Sequence, residues 1–368
     1  MTSTFIDNRN ADSAALEQLF DAPRLGIDTE FVRERTYYPR LCLVQLATTR
    51  HLLCVDPLTL EDTTPLTALL SAASSEKIIH SAGQDFEALL SAYETIPDPV
   101  FDTQIAASLL GFDEQISYAA LVKQLLNVEL AKTETRTDWC KRPLTSAQIA
   151  YAEDDVRYLL SLRDALADRL DQQNRLPWLA EEIATLRRGV IEPRDGNDLL
   201  HRVNGQRGTT SQQRAVIREL AVWREQRART RDRPRKWILA DESVLAIARK
   251  LPSTPQALAN YPELAKLPPE SVRTLLMAIE TALASAPDTW PPSLESNPFS
   301  DSEKRQIRAL QDRIQQLGTA LQITPSRIAS RRDIERLIHR HTDSPLLRGW
   351  RMELLADDLR QVITNPEY

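Results

Sequence analysis

Short apolar runs dominate the first part of the chain, and helical periodicity replaces them further on. Residues 24–31 (RLGIDTEF), 41–47 (LCLVQLA), 51–56 (HLLCVD) and 77–82 (KIIHSA) are brief, mostly aliphatic and bounded by polar or turn residues. Runs of this kind predict strands. The first three are separated by connections too short for a crossover, so they are expected to be antiparallel neighbours. Apolar residues then recur every three or four positions over about 84–93, 102–110, 117–126 and 145–170, which predicts helices. Strands first and mixed elements afterwards imply an α/β or α+β domain, a sheet with helices packed on it.

From about residue 205 no strand pattern is visible. The segment QQRAVIRELAVWREQRART places Val216, Leu220 and Trp223 four and three residues apart with arginines between them, the pattern of an amphipathic helix. Further helices are expected in ESVLAIARKL, in PESVRTLLMAIETALASA, and over roughly 302–319, 325–328, 330–340 and 344–364. GNDLLHRVNGQRGTTSQQ and the Pro- and Ser-rich stretch 286–303 read as linkers. The expected layout is therefore one domain at 1–205 and two small all-helical domains at 206–292 and 293–368, a size match that suggests a diverged duplication.

Charge changes the picture more than composition does. The 368 residues carry a net charge of −6, which by itself argues against a nucleic-acid partner. Yet residues 1–200 hold 19 basic and 32 acidic side chains, and the remainder 27 basic and 20 acidic. An acidic half suited to cations and a basic half suited to an anion are suggested by that asymmetry. No apolar run is long enough for a membrane span, and the N-terminal residues do not read as a signal peptide, so a cytoplasmic protein is expected. The three widely spaced cysteines, Cys42, Cys54 and Cys140, read as small core residues rather than a disulfide framework.

The candidate chemistry lies in acids. Asp28 and Glu30 occupy alternate positions of one predicted strand and so project from the same face. Paired carboxylates repel, and a divalent cation relieves both the repulsion and the desolvation; oxygen-only ligands favour Mg²⁺ or Mn²⁺. Asp85 falls in the first turn of a predicted helix. Tyr151 and Asp155, four apart, share one helix face, with Asp154 a rival to Asp155 on spacing alone. Read singly, each of these acids also fits a solvated strand or helix end.

Jointly, the Asp-x-Glu strand, the Asp some 55 residues on and the Tyr-x-x-x-Asp helix resemble the DEDD exonuclease superfamily, tyrosine subclass. DTEFVRERTYYPRLCLVQLA, HSAGQDFEALL, FDTQIAASLLGF and TRTDWCKRPLTSAQIAYAEDDVRYLL are similar to the bacterial ribonuclease D family over nearly the whole first domain. LAVWREQRARTRDRPRKWILADESVLAIARKLP resembles the HRDC module, and residues 301–368 a degenerate second copy. The resemblance implies an α/β ribonuclease H-like exonuclease domain, a mixed sheet with flanking helices, followed by two all-α HRDC-like domains. It implies a 3′→5′ exoribonuclease that trims RNA 3′ ends, tRNA precursors among them, releases 5′-mononucleotides and acts as a monomer. Two divalent ions, Mg²⁺ or Mn²⁺, would be held by Asp28, Glu30, Asp85 and Asp155, with Tyr151 orienting the attacking water; the family motif favours Asp155 over Asp154.

Other residues carry expectations of their own. Thr29, Phe31 and His80 are candidates for the substrate 3′ end, with core packing an equal role for Phe31 and a structural one for His80. Asp102 reads as a helix N-cap and Trp139 as packing. Arg227, Arg231, Arg233, Arg235 and Lys236 are candidates for the RNA backbone. Trp237 is expected in the core, and Arg327, Arg331, Arg332, Arg336 and Arg340 form a second basic stretch. Deleting 291–368 is expected to lower affinity and the salt slope of binding more than it lowers turnover of a short single strand. The competing functions are a 3′→5′ DNA exonuclease, which would use the same five residues, and a non-catalytic RNA-binding scaffold.

Overall fold

The computed structural model describes residues 1–7, 13–131, 137–259, 261, 264, 267–294, 299–338 and 344–364. Arg340 lies outside the described residues. The chain forms two compact units, one of Met1–Val32, Arg40–Ile191 and Phe299–Tyr368, the other of Arg33–Pro39 and Glu192–Pro298.

The first unit is built on a six-stranded mixed sheet, β1 (Thr2–Ile6), β2 (Arg24–Val32), β3 (Arg40–Ala47), β4 (His51–Val55), β5 (Glu76–Ile79) and β6 (Val100–Asp102), in the order β1-β4-β3-β2-β5-β6. β2 with β3 and β3 with β4 are antiparallel; the other pairs are parallel. β3 sits between two partners and is buried along nearly its whole length, which is why it reads as an unbroken apolar run. Two strands were not anticipated. β1 buries only its last residue, so it shows no alternation, and β6 is three residues long and merges in sequence with the helix that follows.

Helices α1 (Ser13–Glu17), α2 (Thr64–Ser71), α3 (Gly83–Tyr93), α4 (Thr103–Ser108), α5 (Tyr118–Leu126), α6 (Ser146–Arg157), α7 (Leu159–Gln172) and α8 (Leu176–Ile191) complete its first part. Three local features fix the helices that matter for the site. Asp102 caps α4 by accepting from the backbone N–H groups of Gln104 and Ile105, as its sequence context predicts. Thr145 and Gln148 form a reciprocal capping box at the start of α6. Gly26 on β2 lets the α6–α7 junction approach the sheet: a Cβ there would lie 3.3 Å from Ala47, Leu159 and Leu160 side-chain atoms.

α15 (Asp301–Leu321), α16 (Pro325–Ile328), α17 (Arg331–Ile338) and α18 (Gly349–Thr364) belong to this same unit. Their Ile307, Leu310, Ile314, Ile328, Leu337 and Trp350 share one apolar cluster with Ala106, Leu109, Leu166 and Leu179. Trp350 stacks on Trp178 with ring centroids 4.5 Å apart and donates from Nε1 to Glu182 Oε1 at 2.9 Å. Glu182 also pairs with Arg327 and Arg351 at 2.5 Å each, and Arg175 donates to the carbonyls of Leu109 and Leu321 at 2.6 Å. These helices thus share the core of the sheet unit, where a separate domain at 293–368 was expected. Arg327, expected in a basic surface stretch, is instead committed to Glu182.

The second unit contains α9 (Gly196–His201), α10 (Ser211–Arg231), α11 (Arg235–Ile238), α12 (Asp241–Lys250), α13 (Pro255–Leu258) and α14 (Pro269–Ala284). Val216, Leu220 and Trp223 form the buried stripe of α10 as their spacing predicts. Within it Arg224 donates to Asp241 Oδ1 at 2.7 Å in a buried pair. The segment 33–39, which continues from β2, is part of this unit. Tyr37 is buried there, donates its hydroxyl to Glu225 Oε1 at 2.5 Å, and receives hydrogen bonds from Arg229 and Arg235. Asp232 accepts from the backbone N–H groups of Tyr37 and Tyr38 at 2.9 and 3.0 Å.

Candidate active site

β2, α3 and α6 bring the predicted acids to one place. Asp28, Glu30 and Asp155 each present a carboxylate oxygen within 4.8 Å of the others, and all three are half-buried. Asp85, at the start of α3, is buried and accepts from Thr29 Oγ1 at 2.5 Å, so the residue between the two strand acids ties the fourth acid to β2. Tyr151 and Asp155 meet across one turn of α6, and the Tyr151 hydroxyl hydrogen-bonds the Asp155 carboxylate. Asp154 turns away: its carboxylate takes Arg157 Nε at 2.7 Å and its backbone carbonyl takes the Tyr118 hydroxyl at 3.0 Å. Helix rotation thus places the carboxylate of Asp155 in the cluster and turns that of Asp154 toward Arg157.

The electrostatics are those of an acid cluster in need of positive charge. Burial raises all four carboxyl groups. Asp28 is pushed well above the ordinary carboxylate range by burial and then by Asp85, Asp155 and Glu30. Glu30 is pushed up to about 8 by burial, Asp155 and Asp85. Asp85 and Asp155 each rise to about 7, mainly through burial. Burial and the neighbouring acids likewise push the Tyr151 hydroxyl upward, so it stays protonated at neutral pH. Four oxygen-donor side chains that resist ionisation together fit hard divalent cations, whose binding displaces the shared protons.

The site is braced from behind. Trp139 is buried among Cys42, Leu43, Cys54 and Ala152 and lies 6.1 Å from the Tyr151 ring, a packing role as expected. Arg142 grips Asp56 through two hydrogen bonds of 2.6 and 2.7 Å and donates to the Cys42 carbonyl at 2.6 Å. This folds 137–145 back onto β3 and joins Cys42 to Cys140 in a disulfide, leaving Cys54 as a buried free thiol. The expectation of three unpaired core cysteines is corrected for that pair. Cys42 is also the extra residue of a β-bulge, since Glu30 pairs with Leu43 and Phe31 with Leu41.

Phe31 is half-buried against the apolar cluster under the sheet. His80 has both ring nitrogens engaged by the fold, Nδ1 with Thr103 Oγ1 at 2.9 Å and Nε2 with the Ile116 carbonyl at 3.0 Å. Sequence reasoning passed over Gln45, a buried polar side chain in the middle of β3. Its signal was present as the one polar letter in LCLVQLA.

In the second unit the basic candidates divide. Arg235 is paired with Glu225, and Arg227 lies over the Trp223 ring at 5.5 Å. Arg231, Arg233 and Lys236 are exposed. Trp237, expected in the core, is 61% exposed beside them because α11 is a single turn whose only buried residue is Ile238.

Comparison with known proteins settles the family. A 3′-5′ exonuclease family profile matches residues 4–171 and an HRDC domain profile residues 213–272. Ribonuclease D of Xanthomonas oryzae pv. oryzae is 38% identical over 347 residues, covering 94% of each chain. The chain belongs to the ribonuclease D family. Ribonuclease D of Gluconacetobacter diazotrophicus is 35% identical over 94% of this chain and 89% of its own. The crystal structure of Escherichia coli RNase D, an exoribonuclease involved in structured RNA processing, superposes with a TM-score of 0.84 at 31% identity over the whole of both chains. Ribonuclease D family members are 3′→5′ exonucleases that depend on divalent metal, and the cluster of Asp28, Glu30 and Asp155 lies inside the matched exonuclease region. Among the described residues no helix is long and apolar enough to cross a membrane.

Proposed function

We propose that this ribonuclease D family member shortens RNA one nucleotide at a time from a free 3′ end, with tRNA precursors as substrates, as a cytoplasmic monomer. The convergence of Asp28, Glu30 and Asp155 within 4.8 Å carries the reading. Asp28, Glu30, Asp85 and Asp155 would hold two divalent cations, Mg²⁺ or Mn²⁺. When bound, such cations supply positive charge at the scissile phosphate and ease ionisation of the attacking water.

The chain's own residues do the positioning. The Tyr151 hydroxyl, aimed by its bond to Asp155, orients the water for in-line attack and does not remove its proton. Thr29 holds Asp85 in place through its hydroxyl and presents the backbone between the two strand acids to the terminal nucleotide. Phe31 lies next along the same strand and offers an apolar edge to the terminal base. Hydrolysis of the last phosphodiester bond places the water oxygen on phosphorus and returns a proton to the 3′-oxygen of the shortened RNA, giving a 5′-mononucleotide. Arg231 and Lys236, with Arg233, which also donates to the Arg35 carbonyl at 3.3 Å, would meet phosphates without reading sequence, while Arg227 and Arg235 are engaged with Trp223 and Glu225.

The test uses a 5′-labelled RNA with a short single-stranded 3′ tail and a matched DNA. A ladder shortening from the 3′ end in Mg²⁺, absent in EDTA and with Asp155→Ala, is expected for RNA. Shortening of DNA alone would assign a DNA exonuclease, and shortening of neither would leave a binding scaffold.

A further inference from the structure

Gln45 is the one polar side chain in the apolar run of β3, and it is fully buried. Both its amide nitrogen and its amide oxygen lack a hydrogen-bond partner. A buried amide left in that condition bears its whole desolvation penalty, and folded proteins rarely keep one without a reason. Its position supplies the reason. In the β2–β3 register Gln45 stands directly opposite Asp28, and in the β3–β4 register directly opposite Cys54. Residues paired in this way leave the sheet on the same face with their Cβ atoms about 5 Å apart. The neighbours two places along β3 on that face, Leu43 and Ala47, are apolar. In this row of side chains the Asp28 carboxylate is therefore the charged acceptor next to the amide.

We propose that Gln45 is a positioning residue for Asp28: its amide Nε2, unpartnered in this structure, would donate to one carboxylate oxygen of Asp28 when a divalent cation is bound and so aim the other oxygen at the cation. The inference rests on the assignment of Asp28 to the cation site. Chemically the device suits the cluster. Asp28 accepts the Thr29 backbone N–H but otherwise faces Asp85, Asp155 and Glu30, all of which repel it. A neutral donor lets the carboxylate be held in one orientation without adding a charge that would compete with the cation. A Lys or Arg in this place would neutralise Asp28 and weaken cation binding, and an apolar residue would leave its orientation free. Partners that orient a metal-binding carboxylate typically change metal affinity 10- to 100-fold when removed.

The experiment compares Mn²⁺ binding by isothermal titration calorimetry for the full-length wild type, Gln45→Met, Gln45→Leu and Asp28→Asn, with thermal midpoints measured in EDTA. Gln45→Met keeps the volume and removes the amide. It is expected to melt in EDTA at or above the wild-type temperature, to bind Mn²⁺ roughly 10- to 100-fold more weakly, and to lose kcat at low Mn²⁺ with recovery at high Mn²⁺ and an unchanged KM for RNA. Recovery by added metal separates positioning from a packing defect, which excess metal does not repair. Gln45→Leu also removes the amide, with a different apolar shape, and is expected to show the same weakening; it carries the test if the Met variant does not fold. Wild-type Mn²⁺ affinity in Gln45→Met or, where that variant is unfolded, in Gln45→Leu, alongside weakened binding in Asp28→Asn, overturns the role of Gln45 and leaves the cation site standing. Unchanged Mn²⁺ binding in Asp28→Asn overturns both.

Discussion

Replacing Glu30 by Gln is expected to make the cation-free protein more stable while abolishing turnover. Burial, and then repulsion from Asp155 and Asp85, moves the Glu30 carboxyl from an ordinary 4.5 to about 8. Because the folded value lies above the unfolded one, the folded chain retains a proton that the unfolded chain releases. The resulting penalty is absent below the unfolded value, grows as pH rises between the two, and is complete above the folded value. The gap between 4.5 and 8 corresponds to about 5 kcal/mol when complete. A buried Gln amide with incomplete partners returns about 1–3 kcal/mol of that, leaving a net gain of roughly 2–4 kcal/mol. For a unit of this size that is on the order of 5–10 °C in melting temperature. Scanning calorimetry in EDTA near pH 8.5 and again near pH 5.5 measures it, since only about 1 kcal/mol of the penalty has developed at the lower pH. The variant should melt higher at the upper pH, match the wild type at the lower, and gain little from added Mn²⁺. Equal melting of the two proteins near pH 8.5 in EDTA would refute the claim that Glu30 is held against its charge.

Asp155→Ala should lower turnover by at least ~10³-fold, because the acids act as one unit. Asp154→Ala, whose carboxylate faces Arg157, should stay within about threefold of wild type in the same gel assay. Tyr151→Phe should reduce kcat roughly 10²-fold, with Mn²⁺ affinity retained in calorimetry and a pH–rate profile of unchanged shape, since the hydroxyl is protonated throughout the neutral range. Trp350→Ala, which removes the stack on Trp178 and the bond to Glu182, should destabilise the sheet unit by about 3–5 kcal/mol in denaturant titration, with the metal site chemically intact.

Periodicity explains why the acid cluster was legible in the chain. The alternation of β2 puts Asp28 and Glu30 on one face, and the four-residue spacing of α6 puts Tyr151 beside Asp155, so two local rules supply three of the acids' directions. Asp85 was visible only as a helix-start acid, since its link to Thr29 depends on where α3 meets the sheet. Gln45 could be seen but not interpreted, because its meaning comes from the β2–β3 register rather than from β3 itself. The arginines misled for a physical reason. Arg235 and Arg327 look like surface charges until Glu225 and Glu182, 10 and 145 residues away in the chain, are placed beside them. Trp237 misled in the opposite direction, since its bulk suggested a core that its one-turn helix does not provide.

The division of the chain into units has a consequence for how the molecule comes into being. The polypeptide passes from the first unit to the second at residue 33, returns at 40, leaves again at 192 and returns at 299. The apolar surface of α4, α7 and α8 that α15–α18 cover must therefore wait, during synthesis, for the whole of 192–298 to be made first. At roughly 5–20 residues per second that delay amounts to several seconds or more on the ribosome. The β2–β3 connection waits as well, because Tyr37 finds Glu225 and Arg235 only after almost two hundred further residues have been joined. The nascent sheet unit is thus a natural client for chaperones, and the pairings that close it are long-range ones that slow folding.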